Sequence, residues 1–573
     1  MGVLRRIYIL IYNQKRKKVS KIAYKPKNLS SFYDDISTYK PITFSIFASV
    51  NKYFFSMKRH KLLLLLCLVA YMPSQAITFD ENIRYSQAVI DATLYHFQAN
   101  TTAAGFAKYD ATGTLIKEAE SKRGFDYVPG LVAKAVLEAV DFYKDEEFAK
   151  PWFYSMQAYG NKYYDGSNDG VPNSGGSLDD LNACKLYFTL ADLTKPGAAF
   201  ANATTYAHCA TAKTRTLTAL QAHDKKYSIN GDNSSQIDNA AILPLPGDGT
   251  YDVTGGWWHK SSYNNQLWLD GQYMGPALLA QLVAEGKYIS GSAEGDWNII
   301  MKQFDITWTY LWNETDKLLY HAFCADGGTN SSSRSTDWEG LSTTEGKECY
   351  HSADYWGRAV GWYVLALVDV LEQMDKAGMS KSDARYQRLL TYLQKSADGL
   401  LARQDATSGC WYQLLKYDNN FCVDKYVDKN GETIKSGNKC NYLEASASAI
   451  FTAFYLKAMR LGYLDKATYE APAKKAYKGL VETFLKENVG DNNKYGLIQS
   501  CKSAGLGGSS NTEGKRRTGS AAYYLLGTDV GVTSDYTEGK ILGAFVLAAV
   551  EYERAYYKAP LLSSCNCLTV SFR

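Results

Sequence analysis

Residues 257–270 combine the side chains that a sugar-binding catalytic site needs. The stretch reads Trp-Trp-His-Lys-Ser-Ser-Tyr-Asn-Asn-Gln-Leu-Trp-Leu-Asp and comes just before an apolar run from Met274 to Val283. Aromatic faces stack on the C–H face of a pyranose, and polar groups orient its hydroxyls. A carboxylate among Trp rings, here Asp270, loses water, which favours the protonated form that a general acid needs. The alternative is that Asp270 only caps a helix and that the Trp residues only pack in the core.

The elements that must hold this stretch in place are predicted to be α-helices. Apolar residues recur at helical spacing along most of the chain, whereas the alternation typical of strands is scarce. No Pro-, Gly- or Ser-rich linker divides residues 77–560, which are expected to form one long domain, and residues 561–573 are expected to be a tail. The twelve predicted helical runs are 83–98, 129–144, 149–163, 178–193, 204–221, 271–287, 293–312, 356–376, 382–404, 442–461, 466–486 and 539–557.

The lengths of the connections predict where a site lies. Links that follow the even-numbered runs are short, whereas links that precede most even-numbered runs are long and rich in Gly, Asn, Ser and aromatic residues. In an alternating up-down array, all links of one parity lie at one end, so the long loops share a face with the starts of the even helices. Six helix pairs closing on themselves would make an all-α (α/α)6 barrel, a six-hairpin toroid, and an open solenoid is the alternative. The long links are 99–128, 222–270, 313–355, 405–441 and 487–538.

The first 76 residues are expected to lie outside that domain. Residues 1–56 are basic without a sustained helical pattern, so they are expected to be a non-native or disordered extension. Residues 57–76 have a charged start, a short Leu-rich run and small residues at the end, the pattern of a secretory signal peptide. We therefore expect translation to begin at Met57 and the exported chain, periplasmic or extracellular, to begin at Ile77.

Removal of the signal peptide changes the charge of the protein. The remaining chain has 49 basic and 57 acidic residues, a net charge of −8 in place of the +4 of the whole sequence. No basic stripe remains, so a nucleic-acid surface is not expected. The Leu-rich run is too short to cross a bilayer, so no membrane span is expected in the mature chain. An anionic substrate would have to be held by local cations, and oligomeric state cannot be read from these features.

The cysteines point to disulfides rather than to a metal. Of the 11 Cys residues, none forms the paired CxxC spacing of a zinc site, and no metal or other cofactor is predicted. An exported protein can pair some of its cysteines. The candidates in predicted loops are Cys324 with Cys349, and the group Cys410, Cys422 and Cys440, but the pairing cannot be read from the sequence.

Two motifs at the starts of even helices resemble a known family. They are Trp268-Leu269-Asp270-Gly271 with Met274, and Trp356-Gly357-Arg358-x-x-Gly361-Trp362. Together they are similar to glycoside hydrolase family 105, the unsaturated rhamnogalacturonyl hydrolases, which is related to the family 88 unsaturated glucuronyl hydrolases. The resemblance runs from about residue 125 to residue 551 and implies an (α/α)6 barrel. Val360 stands where the family motif often has Asn, which puts one polar contact in doubt.

The resemblance implies that the protein hydrates a carbon–carbon double bond. The substrate would be an oligosaccharide left by a polysaccharide lyase, with a C4=C5 double bond in its terminal uronic acid. Asp270 would be the general acid/base that protonates C4 and activates water, and Asp179 would be the second family acid, which holds a ring hydroxyl or the water. A carboxylate that only stabilises a helix N-terminus is the alternative for Asp179.

The resemblance also assigns substrate-binding residues. The cationic positions near the uronate are His259, Lys260 and Arg358, an active-site histidine is His321, and the aromatic positions are Tyr127, Trp268, Trp356 and Trp362. For Arg358 the alternative is an ion pair with Asp354 or Glu444; for His321 and the aromatic residues it is packing in the core. Asp126 and Glu444 are candidates for helix caps.

Three other functions remain open at this level. A family 88 enzyme would act on unsaturated glycosaminoglycan fragments. A non-catalytic exported oligosaccharide-binding protein would also need an aromatic groove, although it has little use for a carboxylate buried among Trp residues. A polysaccharide lyase of the same fold would create the double bond instead of consuming it.

Overall fold

The structure is a computed structural model that describes most of the chain after residue 76. The described residues are 77–99, 102–120, 122, 124–232, 242–245, 247–329, 336–344, 346–428, 431–489, 494–508, 516–533 and 536–557. The predicted extension 1–56, the signal peptide 57–76 and the tail 561–573 lie outside them. In the described part, no helix combines the length and the apolar character needed to cross a bilayer.

The described residues are mostly helical, and each of the twelve predicted runs contains a helix. Two runs are divided: a 3-10 turn at Ala183–Lys185 interrupts the fourth, and Pro276 begins a new helix in the sixth. The helices are α1 Tyr85–Thr93, α2 Tyr127–Phe142, α3 Lys150–Tyr163, α4 Leu178–Asn182, α5 Leu186–Thr194, α6 Ala203–Lys226, α7 Leu269–Met274, α8 Pro276–Ala284, α9 Ala293–Leu311, α10 Gly357–Lys376, α11 Ala384–Leu401, α12 Ala445–Arg460, α13 Lys466–Gly479, α14 Ala521–Leu526 and α15 Gly539–Tyr556.

The strands are short and pair two by two, always antiparallel. The pairs are β1–β2, β3–β4, β5–β6, β7–β10, β8–β9, β11–β12 and β13–β14. The strands are β1 Gln98–Ala99, β2 Thr102–Ala103, β3 Lys108–Tyr109, β4 Leu115–Lys117, β5 Ile242–Pro244, β6 Thr250–Asp252, β7 Gln266–Trp268, β8 Trp312–Asn313, β9 Leu318–Leu319, β10 Ala322–Cys324, β11 Cys422–Val427, β12 Thr433–Cys440, β13 Leu485–Val489 and β14 Lys494–Leu497.

The helices fall into an inner and an outer set. Among the inner ones, α2 contacts α4 and α5, α4 contacts α7, α7 and α8 contact α10, α10 contacts α12, α12 contacts α15, and α15 contacts α2. The outer helices α3, α6, α9, α11, α13 and α1 contact α2, α5, α8, α10, α12 and α15, in that order. An inner helix such as α12 is buried on nearly every side, whereas α11 buries one apolar face. An open solenoid does not bring its last helix onto its first.

Buried ion pairs join three inner helices. Asp369 of α10 lies 2.7 Å from Nζ of Lys457 on α12 and 3.6 Å from Nζ of Lys134 on α2. Burial would raise the pKa of Asp369, but the two ammonium groups lower it well below its usual value. An isolated charge at this depth would be costly, so the pairs hold α2, α10 and α12 in one register.

Carboxylates cap several inner helices. Asp126 accepts from the Val128 N–H at 2.9 Å at the start of α2, and Glu444 accepts from the Ala447 N–H at 2.6 Å at the start of α12. The interpretation of both residues as caps is confirmed. Asp270 differs, because the N-cap position of α7 is Trp268 and Asp270 lies in the first turn. The alternative that Asp270 is the cap of this helix is therefore wrong.

One of the candidate disulfides is present. Cys422 and Cys440 are bonded to each other and close the open end of the β11–β12 hairpin, where they are cross-strand partners. Cys324 and Cys349 are not joined to each other. Cys324 is buried, and its Sγ donates to a carboxylate oxygen of Asp326 at 3.0 Å.

Candidate active site

A cavity of about 280 Å³ lies where the inner helices α2, α4, α7 and α10 begin. Nine of the ten predicted site residues line it, and the tenth, His321, contacts Asp270 from behind. The prediction that the starts of the even helices meet at one site is confirmed for these four helices. The lining residues are Tyr127, Asp179, His259, Lys260, Tyr263, Trp268, Asp270, Met274, Trp356, Arg358, Trp362, Ser503, Ala504, Gly505 and Arg517.

Strand pairing places Asp270 beside His321. In the β7–β10 pair, Trp268 lies opposite Ala322, and the Leu269 N–H donates to the His321 carbonyl at 3.1 Å. The chain enters α7 immediately afterwards, so Asp270 projects over the imidazole. Its Oδ2 lies 3.2 Å from Nε2 of His321, whose side chain is fully buried. The histidine is therefore a partner of the predicted acid and not only a packed core residue.

A tyrosine completes this contact on the far side of the ring. The hydroxyl of Tyr524, at the end of the long link 487–538, lies 2.7 Å from Nδ1 of His321. Burial raises the pKa of that hydroxyl well above its usual value, so it stays protonated. A hydroxyl can donate to or accept from Nδ1, and the imidazole can therefore face Asp270 with or without a proton on Nε2.

We expect Tyr524→Phe to lower kcat about tenfold and to shift the pH dependence of kcat, because it removes the hydrogen bond that the buried His321 ring makes through Nδ1. The assay for this and the following predictions is turnover of the substrate proposed below. The matched control is Tyr187→Phe, which removes an equally buried hydroxyl that donates to the Gly160 carbonyl at 3.0 Å. Equal effects of the two substitutions on the pH profile would contradict the role of Tyr524.

A second pairing of backbone segments places Asp179 between His259 and Lys260. The Leu178 N–H donates to the His259 carbonyl at 3.1 Å, and Ser177 pairs with Lys260. The carboxylate lies 3.2 Å from Nε2 of His259 and 2.6 Å from Nζ of Lys260. Burial would raise the pKa of Asp179, but Lys260 and His259 together hold it well below its usual value. Asp179 is thus an ionised group that orients others, not a proton donor.

Aromatic rings form one wall of the cavity. Trp268 stacks with His259 at a centroid distance of 5.0 Å and an interplanar angle of 7°, and with Tyr263 at 5.0 Å and 5°. His321 meets the same indole edge-on at 5.1 Å. A flat wall of this kind fits the C–H face of a sugar ring. Trp257 and Trp258 pack in the core and are not among the described lining residues, so of these three Trp residues it is Trp268 that shares the cavity wall with Asp270.

Arg358 is held in the floor of the cavity. Its Nη1 donates to the Cys501 carbonyl at 2.6 Å and to Oγ of Ser446 at 3.2 Å, and its guanidinium lies 4.6 Å from the Trp356 ring centre. The side chain is 2% exposed. Glu444 reaches it only through the Ser446 hydroxyl, which donates to Glu444. The direct ion pair with Glu444 is not formed between these residues, and neither is the one with Asp354.

The remaining predicted aromatic residues line the cavity but differ in how deeply they are buried. Trp356 and Trp362 line the cavity, but they are about 2% and 1% exposed, and Trp362 stacks on Tyr273 at 5.1 Å. Both the stacking and the core interpretation therefore apply to them. Tyr127, at the start of α2, is only half-buried. In the described part of the chain, no group of three His, Cys, Asp or Glu side chains is placed to hold a metal ion.

Part of the cavity wall was not predicted from the sequence. Tyr263 was noted within residues 257–270 but not assigned a site role, and the segments around Gly505 and Arg517 were not singled out. Both segments belong to the long link 487–538, which loop parity had placed at this face. Position in that link was the available signal, and the adjacent basic pair at 516 and 517 could have strengthened it.

Comparisons with known proteins identify the family of the chain. A family model described as Glycosyl Hydrolase Family 88 matches residues 250–425 and 423–556. Protein Atu3128 of Agrobacterium fabrum is 34% identical over 202 residues, which are 34% of this chain and 70% of that protein. The 24.9 kDa protein in the picA locus of Rhizobium radiobacter matches to the same extent, with 34% identity over 202 residues.

Solved structures are similar over a larger part of the chain. A family 105 glycoside hydrolase of C. acetobutylicum has a TM-score of 0.54 and 27% identity, covering 75% of this chain and 94% of that one. A possible family 105 member from Salmonella enterica, at 16% identity and a TM-score of 0.50, covers 85% of this chain and 98% of that one, and shows the fold alone.

The chain therefore belongs to Glycosyl Hydrolase Family 88, whose model matches more than half of it. The protein is a glycoside hydrolase, and the resemblance to family 105 as a relative of family 88, drawn from the two motifs, is confirmed.

Proposed function

We propose that the protein removes the unsaturated uronic acid from the non-reducing end of pectin (rhamnogalacturonan) oligosaccharides that a polysaccharide lyase has generated. The support is membership of family 88, the 27% identity to a family 105 enzyme, and the family 105 motifs around Asp270 and Arg358. The enzyme would add water across the C4=C5 double bond instead of attacking the glycosidic carbon.

The observation that carries this proposal is the unequal surroundings of the two carboxylates. Asp179 lies between Lys260 and His259, which keep it ionised. Asp270 faces the buried His321 ring and the Trp268 wall, and its own side chain is 15% exposed. Protonation of an enol ether needs a single acid in an apolar setting, with the second group held as an anion. Of the two carboxylates, Asp270 is the one that can donate a proton.

The reaction then follows from these roles. The Asp270 carboxyl transfers its proton to C4, and positive charge develops at C5 next to the ring oxygen. Water adds to C5 and returns a proton to Asp270, which restores the acid. The product is a hemiketal, which opens spontaneously and releases the rest of the oligosaccharide. Neither a covalent glycosyl-enzyme nor a second acid/base pair is needed, and the reaction as written uses no metal or organic cofactor.

We also propose that the protein is an (α/α)6 barrel and that it is exported. The closed series of inner helices, each with an outer partner, supports an (α/α)6 barrel whose mouth is this cavity. The sequence pattern of residues 57–76, which is typical of a signal peptide, supports export, so that the enzyme would meet lyase products in the periplasm or outside the cell.

The proposal is tested by the near-ultraviolet absorbance of the unsaturated uronate. We expect the absorbance of unsaturated rhamnogalacturonan disaccharide to fall with time in the presence of the protein, because hydration removes the conjugated double bond. Preference for unsaturated chondroitin disaccharide would favour the glycosaminoglycan alternative. A rise of absorbance with intact polysaccharide would indicate a lyase, and an unchanged signal with saturable binding would indicate a binding protein.

A further inference from the structure

The cations that the resemblance assigns to the uronate are already engaged by the protein. His259 and Lys260 both contact the Asp179 carboxylate. Arg358 donates to a backbone carbonyl and to a serine hydroxyl while it is almost fully buried under the Trp356 ring. Lys260 is already paired with a buried carboxylate, and Arg358 is only 2% exposed, so a further cation on the wall is a candidate for the substrate carboxylate.

Arg517 is such a cation. It lines the cavity, and its side chain is 33% exposed, more than that of any other cationic residue on the described wall. Its Nε lies 2.8 Å from a carboxylate oxygen of Asp529. That contact uses one edge of the planar guanidinium and leaves the end formed by Nη1 and Nη2 in the geometry that binds a second carboxylate.

The surroundings hold Arg517 in one orientation. The Tyr523 hydroxyl lies 3.2 Å from both oxygens of Asp529 and accepts from the Gly505 N–H at 3.1 Å. Gly505 also leaves room for the guanidinium, because a methyl group at this position would lie 2.8 Å from Nη1 of Arg517. The four residues thus form a closed frame, and a ligand would not have to order the arginine on binding.

We propose that Arg517 is a specificity-determining residue that binds the carboxylate of the unsaturated uronic acid. The inference rests on the proposed function and names the group that selects an acidic over a neutral sugar. Asp529 orients the guanidinium, and the end of the fork carries the charge-assisted hydrogen bonds to the substrate. The aromatic wall of Trp268 and Tyr263 then receives the face of the same ring.

The test compares two substrates that differ in one charge, the unsaturated disaccharide and its carboxyl methyl ester. We expect Arg517→Gln to lower kcat/KM at least tenfold for the acid, mostly through KM, and by less than threefold for the ester. The matched control is Arg516→Gln, the neighbouring arginine, which pairs with Asp428 at 2.7 Å and does not line the cavity. It should leave the acid-to-ester ratio unchanged.

A second variant displaces the Arg517 guanidinium without removing it. Gly505→Ala places a methyl group against Nη1, and the flexible end of Arg517 must move away, while the backbone at 505 is not in the left-handed region. We expect the same selective loss for the acid. If the wild type processes the acid but either folded variant loses acid and ester turnover equally, this inference is overturned and the proposed function stands. If the wild type processes neither substrate, the proposed function is contradicted, and so is the inference that rests on it.

Discussion

Asp270→Asn should abolish turnover while leaving the fold intact. The amide cannot protonate C4, so we expect kcat to fall by about three orders of magnitude or more, the range for loss of a general acid. The change is close to isosteric, and the Asn carbonyl can still accept from Nε2 of His321, which Asp270 contacts at 3.2 Å. The measurement is the decrease in near-ultraviolet absorbance, together with the circular dichroism spectrum and the melting temperature.

Asp354→Asn is the control for this substitution. Burial raises the pKa of Asp354 to about 6, which would suit a general acid, but the residue is not among the described residues of the cavity wall. We expect this variant to keep kcat within about threefold of the wild type, because Asp354 does not line the cavity in which the substrate would react. A large loss with Asp354→Asn and a small one with Asp270→Asn would exchange the roles of the two acids and contradict the mechanism.

The second large effect is expected from Asp179→Asn, on both activity and stability. The substitution leaves the Lys260 ammonium group without its anion in a largely buried site and removes the carboxylate that His259 contacts, which should cost roughly 3 kcal/mol of unfolding free energy. Activity should fall about a hundredfold, because the Lys260 and His259 side chains lose the group that positions them. Equilibrium denaturation and steady-state kinetics measure the two effects.

The pH dependence of that stability loss has a definite sign. The pKa of Asp179 is lowered in the folded protein, so its stabilising contribution is complete above the ordinary carboxyl pKa near 4 and is lost as the pH falls below it. The difference in unfolding free energy between wild type and Asp179→Asn should therefore be constant from about pH 5 to 7 and shrink below about pH 4. Asp180→Asn, one residue away and outside the cavity, should show no such loss at neutral pH.

The predicted helices were largely correct because helical periodicity is local. The buried face of α10 or α12 is visible as apolar spacing within a single run of the sequence. The breaks within the fourth and sixth predicted runs were not predicted, for a related reason. Pro276 lies in a strongly apolar stretch, and the pattern continued across it although the helix restarts there. Loop parity carried the argument further, since alternation of long and short links constrains which helix ends meet.

The sequence also predicted most of the residues that line the cavity, but not the contacts among them. Asp179 and Asp270 are 91 positions apart, and nothing in the spacing says that Asp179 contacts a lysine as well as a histidine, whereas Asp270 contacts the buried His321. That difference arises from two backbone pairings, Ser177 with Lys260 and Trp268 with Ala322. Arg358 was expected to face the substrate, and its engagement with the Cys501 carbonyl depends on a loop that follows it by more than a hundred residues.

By itself, the sequence determined the helices, the face on which the long loops meet, the family, and nine of the residues that line the cavity. These properties follow from periodicity, link length and motifs, all of which are read along the chain. Only the tertiary structure decided that Asp179 contacts Lys260 and His259, that the Tyr524 hydroxyl contacts His321, and that Arg517 lines the cavity. Protonation and charge in a buried site depend on which groups lie within a few ångströms, and long-range packing alone sets those neighbours.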